Sequence, residues 1–328
     1  MYAVKARESG RRWQDIPETE QEMLCAACLD AVSADYRHLL LKDPGTAYEQ
    51  TRLLRLLTRT VKNLTSELSR GDFVPYSFEE AFGEKGQALV RLPLKDGSLS
   101  LTGRIDRIDV FEDPDCTYVK VIDYKSGNTA FDLSSVCSGL QLQLSVYMHA
   151  ALAQFRSEGK NAAAAALFYH PVSDPVIDYE PLDDDDARGE KLLAAAKPSG
   201  IVSAEPDVLA HLDHAAAQGM KSTILPVSYT KNGGFTKLSH VASAEQFTAL
   251  EHFALAKARG LGNEILSGKC AALPTADGTK LPCTYCPFIS LCGFDPASQE
   301  AASKVTGDAD ELFALMEEMT GTAGGDTE

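Results

Sequence analysis

Two short acidic motifs on either side of a predicted hairpin turn constrain this chain more than any other feature. The first motif is Gly103–Asp109 (GRIDRID), and the second is Val121–Gly127 (VIDYKSG). Between them, Phe111–Asp115 (FEDPD) carries the proline and aspartates that are typical of a tight turn. Apolar and polar residues alternate on both sides of this turn, as in strands that bury one face. We therefore predict an antiparallel pair of strands joined at residues 111–115.

Such a pair of strands would bring two carboxylates and an amine to one point. Asp106 and Asp123 would lie side by side, and Lys125, two residues after Asp123, would share its face. Carboxylates suit Mg²⁺, which keeps several waters and binds through one or two protein oxygens plus phosphate. A lysine beside such a metal can orient or deprotonate an attacking water, so the pattern predicts a nuclease active site. The alternative is a polar hairpin with cross-strand ion pairs, but Asp123 follows an apolar run, which favours a functional carboxylate.

The next segment, Gly139–Tyr147 (GLQLQLSVY), has a helical pattern and comes directly after these strands. Gln143 and Tyr147 are four residues apart, so they share one helical face and could both reach the metal site or DNA. Alone, the same residues could simply line an amphipathic core helix, since apolar residues alternate with them. Their position after the DYK motif favours the functional interpretation.

A second group of candidate ligands lies further along the chain. Cys283, Cys286 and Cys292 have a C-x2-C-x5-C spacing, which can hold zinc or an iron–sulfur cluster. Cys270 precedes them and would give a plausible four-thiolate zinc arrangement, while free thiols in a loop are the structural alternative. Cys25 and Cys28 lie three residues apart in a predicted helix and are interpreted as packing residues, while Cys116 and Cys137 lack partner spacing and are interpreted as ordinary cysteines.

Together these motifs resemble the PD-(D/E)xK nucleases, and the Q-x3-Y spacing resembles their RecB-like branch. Their order is similar to that of the C-terminal nuclease region of the AddB-type component of AddAB helicase–nucleases, over roughly residues 70–295. The segments that carry this likeness are FEEAFG, GRIDRID, VIDYKSG, GLQLQLSVY, ALFYHPVSDPVI and CTYCPFISLC. The resemblance implies an α/β fold with a restriction-endonuclease-like core, a central mixed sheet flanked by helices. Helical N-terminal and cysteine-containing C-terminal segments are added to that core.

The resemblance also implies a Mg²⁺- or Mn²⁺-dependent deoxyribonuclease, which we expect to act as an exonuclease, with endonucleolytic cleavage as the open alternative. The implied metal ligands are Asp106, Asp123 and the backbone carbonyl of Tyr124. The implied catalytic residues are Asp106, Asp123, Lys125, Gln143 and Tyr147. Lys125 would position the attacking water, while Gln143 and Tyr147 would orient the carboxylates or the DNA strand.

Two elements of the family are missing. One is a histidine that precedes the first acid, and the other is a cysteine further upstream that joins the three C-terminal cysteines around a 4Fe-4S cluster. We therefore expect the chain to be a C-terminal piece of a longer polypeptide. In the full-length protein, Cys283, Cys286 and Cys292 would hold the cluster, which we expect to be absent or incomplete here.

The implied role is the processing of DNA ends in double-strand-break repair and recombination. A single strand would enter the nuclease site, and the partner would be an AddA-type helicase–nuclease. The alternative is a catalytically inactive nuclease fold with a DNA- or partner-binding structural role. Four segments are expected: N-terminal helices (1–70), the nuclease core (71–173), an insertion packed on the core (174–240), and a C-terminal helix with the cysteine lobe (241–328).

Composition limits how such a chain could bind DNA. Its 31 basic and 47 acidic residues give a net charge of −16, whereas strong DNA binding normally rests on Lys and Arg contacts to phosphates. We therefore expect weak DNA binding by this chain alone. There is neither an apolar run of about 18 residues nor a secretion signal, and the cysteine usage suits a reducing compartment, so we expect a cytoplasmic protein without membrane contact.

Several further expectations concern single residues and elements. Arg104 and Arg107 flank Asp106 and are expected to contact phosphate, whereas Asp109 is expected to be a surface acid. Glu79 resembles an acid that precedes the core in this family, and a surface acid is an equally good interpretation. We also predict a hairpin turn at 95–97, one helix over 133–155, and a helix over 243–266 that begins with a capping box.

Overall fold

The computed structural model describes residues 1–35, 44–83, 90–127, 129–173, 175, 177–178, 185–217, 219 and 222–321. The helices are α1 (Tyr2–Glu8), α2 (Glu18–Asp35), α3 (Pro44–Leu68), α4 (Leu133–Cys137), α5 (Gln143–Ser157), α6 (Asp185–Ala195), α7 (Pro206–Leu212), α8 (His214–Ala217), α9 (Ala244–Leu266), α10 (Ile289–Cys292) and α11 (Ala309–Gly321). Short 3-10 helices occur at Trp13–Asp15 and Pro282–Tyr285.

The strands are β1 (Val74–Phe82), β2 (Val90–Leu94), β3 (Gly97–Leu101), β4 (Gly103–Glu112), β5 (Thr117–Lys125), β6 (Ala162–Pro171), β7 (Ser199–Ser203), β8 (Val241–Ala242), β9 (Thr275–Ala276) and β10 (Ala302–Ser303). A six-stranded sheet in the order β1-β4-β5-β6-β7-β8 forms the centre. It is mixed, because β5–β6 and β7–β8 pair parallel while β1–β4, β4–β5 and β6–β7 pair antiparallel. This confirms the expected α/β fold with a central mixed sheet flanked by helices.

Different parts of the chain cover the two faces of this sheet. The front face packs against α5 and α9, so that Val119 and Val121 of β5 meet Leu144 and Met148 of α5 in one buried core. The rear face is covered at its β1–β4–β5 side by the N-terminal helices and at its β6–β7 side by α7. The central strands therefore bury both faces and are apolar on both. Cys25 and Cys28 are buried in the core that the N-terminal helices form on the rear face, which confirms that they are packing residues.

A break between two helices places the first residue of α5 beside the sheet. The prediction of one helix over residues 133–155 was wrong, because α4 ends at Cys137 and α5 begins only at Gln143. Between them Gly139 has φ +79°, a conformation that favours glycine and ends the first helix. As a result, Gln143 occupies the first turn of α5 rather than the middle of a long helix.

Other predicted elements are present. Leu94 pairs with Gly97 in the predicted hairpin turn. The N-terminus of α9 has the predicted capping box, in which Ser243 N donates to Gln246 Oε1 over 2.9 Å. Residues 199–203, which were predicted to lie in an insertion, form β7 of the central sheet. The division of the chain into four segments itself stays a prediction. In the described ranges, no helix has the length and apolarity needed to cross a membrane.

Candidate functional site

The two predicted carboxylates lie on the neighbouring strands β4 and β5, close to the C-terminal end of β5. Arg107 of β4 pairs with Ile122 of β5, so Asp106 and Asp123 are the next residues along this antiparallel register. The backbone N–H of Tyr124 donates to Asp106 Oδ2 over 2.8 Å, which ties the first carboxylate to the second strand. The structure thus places these side chains where the motif spacing predicts them, while their chemical roles stay a prediction.

Lys125 and Gln143 join Asp123 in one polar network on the front face. Lys125 Nζ lies 2.6 Å from Asp123 Oδ2 and donates to Gln143 Oε1 over 3.1 Å. The Gln143 amide Nε2 donates both to Asp123 Oδ1 over 3.0 Å and to the Tyr147 hydroxyl over 2.8 Å. The Gln143 side chain therefore orients the acid and the amine together, and Tyr147 holds it from one turn further along α5.

Gly103 leaves room for the Phe82 ring, which packs against Tyr147 beside this network. The Phe82 and Tyr147 rings meet edge to face with centroids 5.8 Å apart. A Cβ atom built on Gly103 would lie 2.7 Å from the Phe82 ring, which is too close for the present packing, and 3.4 Å from the Tyr147 ring, which is an ordinary contact. The glycine that opens the GRIDRID motif thus allows β1, β4 and α5 to meet beside the site.

The electrostatics of the site centre on Asp123, which is 3% exposed. Burial raises the pKa of Asp123, the Lys125 ammonium opposes this, and the charge of Asp106 raises the pKa further. Lys125 Nζ lies 2.6 Å from Asp123 Oδ2, and apart from this ammonium no donor among the described residues bonds to that oxygen. Asp123 thus presents a buried carboxylate oxygen whose one neighbouring cation among the described residues is the Lys125 ammonium.

This oxygen, beside a second carboxylate, fits a hard divalent cation such as Mg²⁺ or Mn²⁺. Within the described ranges, no group of three or more His, Cys, Asp or Glu side chains surrounds a common point. The remaining ligands would therefore be a backbone carbonyl, water or phosphate, which is how Mg²⁺ is usually bound. The residues present fit the ion with Asp106 and Asp123 as its side-chain ligands.

We expect the affinity of this site for Mn²⁺ to fall as the pH is lowered toward the raised pKa of Asp123. A protonated carboxyl cannot offer an anionic oxygen, so the affinity is present above that pKa and is lost below it. Electron paramagnetic resonance of free Mn²⁺ between about pH 8 and about pH 4 would measure this. The decline should begin above the ordinary Asp pKa of about 3.9, and Asp123→Asn should bind Mn²⁺ weakly at every pH. A decline confined to the ordinary value would contradict the prediction.

The cysteine segment forms no comparable group of ligands. Cys283 and Cys286 are half-buried, Cys270 and Cys292 are exposed, and all four are free thiols. The short helices that carry Cys283 and Cys292 contain no buried residue. Because no three of the described thiols converge, this arrangement does not fit a four-iron cluster or a four-thiolate zinc site. The expected incompleteness of the cluster stays a prediction.

Two predictions for the GRIDRID motif were wrong, namely that Arg107 contacts phosphate and that Asp109 is a surface acid. Arg107 is 1% exposed and Asp109 is fully buried, and the guanidinium donates to both carboxylate oxygens over 2.5 and 2.8 Å. Lys120 adds a second cation 2.9 Å from Asp109. Burial alone would lower the pKa of Arg107 and raise that of Asp109, but the opposite charges outweigh burial and shift both the other way. Arg107 therefore faces Asp109 rather than solvent or phosphate.

A sequence signal for this burial existed. In β4, apolar residues lie at positions that face opposite sides of the strand, such as Ile105 and Ile108, and they flank the charged residues. In β5, Lys120 interrupts an apolar run. A strand with apolar residues on both faces is a central strand, so its charged residues must pair with one another. Arg104, by contrast, is exposed and lies 3.8 Å from Glu79, and its contact with phosphate stays a prediction.

Glu79 lies beside the site in an unusual conformation. Its neighbours Phe78 and Glu80 pair with Arg107 and Ile105, so Glu79 is opposite Asp106. Its φ of +52° is the only positive value for a non-glycine residue in the described ranges, and such strain costs about 1–3 kcal/mol. With Asp106 and Tyr124 it lines a cavity of about 450 Å³. The two interpretations of Glu79, as an acid of the site and as a surface acid, both stay predictions.

Comparison with known proteins agrees with this geometry. The profile of the PD-(D/E)XK nuclease superfamily matches residues 6–293. The chain belongs to this superfamily, which also agrees with the observed fold.

The chain is also similar to bacterial proteins named as the B component of an ATP-dependent helicase/deoxyribonuclease. It is 36% identical to that of Lachnoclostridium phytofermentans over 304 residues, which cover 90% of this chain and 25% of the relative. It is 32% identical to that of Caldanaerobacter subterraneus over 312 residues, covering 92% of this chain and 27% of the relative. It is 30% identical to that of Listeria welshimeri over 299 residues, which cover 90% of this chain and 26% of the relative. The chain thus spans about a quarter of the length of the curated relatives it matches.

Proposed function

We propose that this chain is a nuclease domain that hydrolyses DNA phosphodiester bonds with Mg²⁺ or Mn²⁺. The observation that carries the proposal is the polar network of Asp123, Lys125 and Gln143, with the Asp106 carboxylate on the adjacent strand bonded to the backbone of Tyr124. Membership of the nuclease superfamily supports the reaction class. The word deoxyribonuclease in the names of the relatives supports DNA as the substrate.

In this proposal, Asp106, Asp123 and the carbonyl of Tyr124 hold the cation. When bound, such a cation would polarise the scissile phosphate and lower the pKa of a bound water below its bulk value of about 15.7. Lys125, 2.6 Å from Asp123, orients the attacking water and counters the charge that develops on the phosphate. Gln143 keeps Lys125 and Asp123 in a fixed relative orientation because it bonds to both.

We further propose that this domain works on DNA delivered by other parts of a helicase–nuclease. The relatives are named as one component of an ATP-dependent helicase/deoxyribonuclease, which supports a role in processing DNA ends during double-strand-break repair. The partner would be an AddA-type helicase–nuclease, and the substrate would be a single strand. The net charge of −16 supports delivery by partners, because this chain alone can neutralise few phosphates.

Degradation of linear single-stranded DNA by the purified chain tests the proposal. We expect cleavage with Mg²⁺ or Mn²⁺ and none with a chelator, since in this proposal the bound cation both polarises the phosphate and activates the water. DNA labelled at one end would show whether cleavage starts from that end, as an exonuclease requires. A parallel preparation of Asp123→Ala would show whether any activity comes from a contaminating nuclease. If neither ion supports cleavage although Mn²⁺ binds, the proposal is wrong, and an inactive nuclease fold with a binding role is favoured.

A further inference from the structure

A charged cluster lies on the rear face of the sheet, directly behind the candidate site, and the proposed reaction does not use it. It consists of Arg107 and Asp109 on β4 and of Lys120 and Tyr124 on β5, and we call it the rear cluster. Arg107 bonds both oxygens of Asp109, and Lys120 lies 2.9 Å from the same carboxylate. These contacts leave one guanidinium nitrogen, Nη1, to donate to the Tyr124 hydroxyl over 3.2 Å.

The position of this last bond connects the rear cluster to the site. Arg107 follows Asp106 in β4, and Tyr124 follows Asp123 in β5, so the bond joins the two strands immediately behind the two carboxylates. Tyr124 also bonds to β4 through its backbone, because its N–H donates to Asp106 Oδ2 over 2.8 Å. One residue therefore ties β5 to β4 by its main chain and by its side chain.

The surroundings of the rear cluster restrict its movement. The Trp13 ring covers the Arg107 guanidinium at 5.1 Å, and Trp13 Nε1 donates to the Thr65 hydroxyl over 3.0 Å. On the other side, the Tyr124 ring meets His170 of β6 edge to face with centroids 5.8 Å apart. His170 is itself held 3.0 Å from Glu67 of α3. A guanidinium enclosed in this way has little freedom to move relative to its partners.

We propose that Tyr124 is a positioning residue, whose hydroxyl, held by Arg107, fixes the separation of β4 and β5 and so the relative placement of Asp106 and Asp123. The proposal rests on the proposed metal-dependent function of the two carboxylates. Groups that hold metal ligands in place typically account for about 10- to 100-fold in metal affinity or activity. The effect is expected on the metal rather than on the DNA, because Tyr124 acts through the two ligand strands.

The variant Tyr124→Phe tests this, because it keeps the ring and the backbone and removes only the hydroxyl. We expect the Mn²⁺ concentration for half-maximal cleavage to rise about 10-fold, with the KM for DNA unchanged. Tyr118→Phe is the matched control, since Tyr118 lies on the same strand and face, stacks on Phe111 at 6.4 Å and takes no part in the rear cluster. It should behave as the parent does. Urea unfolding of both variants would show that they fold.

A second variant keeps the test open if Tyr124→Phe folds poorly. Arg107→Lys retains a positive charge beside Asp109 but lacks the planar fork that bonds Asp109 and Tyr124 together. It should shift the Mn²⁺ dependence in the same direction. If the parent cleaves DNA and both variants keep its Mn²⁺ dependence, the positioning proposal is wrong and the nuclease function stands. If the parent neither binds Mn²⁺ nor cleaves DNA, the proposed function itself fails, and the positioning proposal fails with it.

Discussion

Replacing Lys125 with alanine is expected to lower the rate of metal-dependent DNA cleavage by about 10²- to 10³-fold. The ammonium lies 2.6 Å from Asp123 and is oriented by Gln143, so it supplies a fixed positive charge beside the position of the phosphate. Preorganised charge of this kind is worth more in a partly buried site than in water. Single-turnover cleavage of labelled DNA at saturating Mn²⁺ would measure the change in the chemical step.

Measuring Mn²⁺ binding by the variants distinguishes the role of Lys125 in the reaction from the role of the carboxylates in holding the metal. Lys125→Ala should bind Mn²⁺ at least as tightly as the parent, because the ammonium that competes for Asp123 is gone. Asp123→Ala should lose both binding and cleavage. Lys160→Ala is the matched control, since its ammonium pairs with Glu112 at the surface and should leave both measurements unchanged. Loss of Mn²⁺ binding in Lys125→Ala would show that the lysine supports the metal site rather than the reaction.

Replacing Asp109 with alanine is expected to lower the free energy of unfolding by about 3–5 kcal/mol. The substitution leaves the Arg107 guanidinium, 1% exposed, without its carboxylate partner in a site closed to solvent. Urea unfolding followed by circular dichroism would measure the loss. Asp96→Ala, in the exposed turn between β2 and β3, is the control and should change stability by less than about 0.5 kcal/mol.

The same carboxylate predicts a direction for the pH dependence of stability. Burial alone would raise the pKa of Asp109, but Arg107 and Lys120 lower it below its ordinary value. Its contribution to stability is therefore complete above the unfolded-state pKa of about 3.9 and is lost as the pH falls through the lowered folded pKa. The Asp109→Ala variant should lack this part of the acid dependence. A variant as stable as the parent at neutral pH would contradict the assignment of a buried ion pair.

The front of the site was predictable from the sequence because it depends on local rules. Strand periodicity and a recognisable turn set the register of Asp106 against Asp123, and a four-residue spacing placed Gln143 and Tyr147 on one helical face. The break before Gln143 was missed because Leu140 and Leu142 continue the apolar pattern through a segment that is not helical. Apolar periodicity alone did not locate that boundary.

The rear of the site was not predicted, because its burial depends on distant segments. Trp13 and Glu67 cover the rear face from the N-terminal region, and Glu67 meets His170 across 103 positions of the chain. The pairing of β6 with β7 is likewise non-local, so β7 was assigned to an insertion. Charged residues in a motif are read as exposed unless the cover provided by such segments is known, which explains the error at Arg107 and Asp109.

The two outer strands of the sheet affect how the protein behaves in a crowded solution. On one side the sheet ends in β8, which has two residues and offers few free backbone groups to a strand of another molecule. On the other side, β1 is irregular between Pro75 and Ser77 and again at Glu79, where φ is positive. Pro75 also has no N–H to donate. Both outer strands therefore discourage the addition of foreign strands, so the sheet resists growing into aggregates by strand-to-strand association.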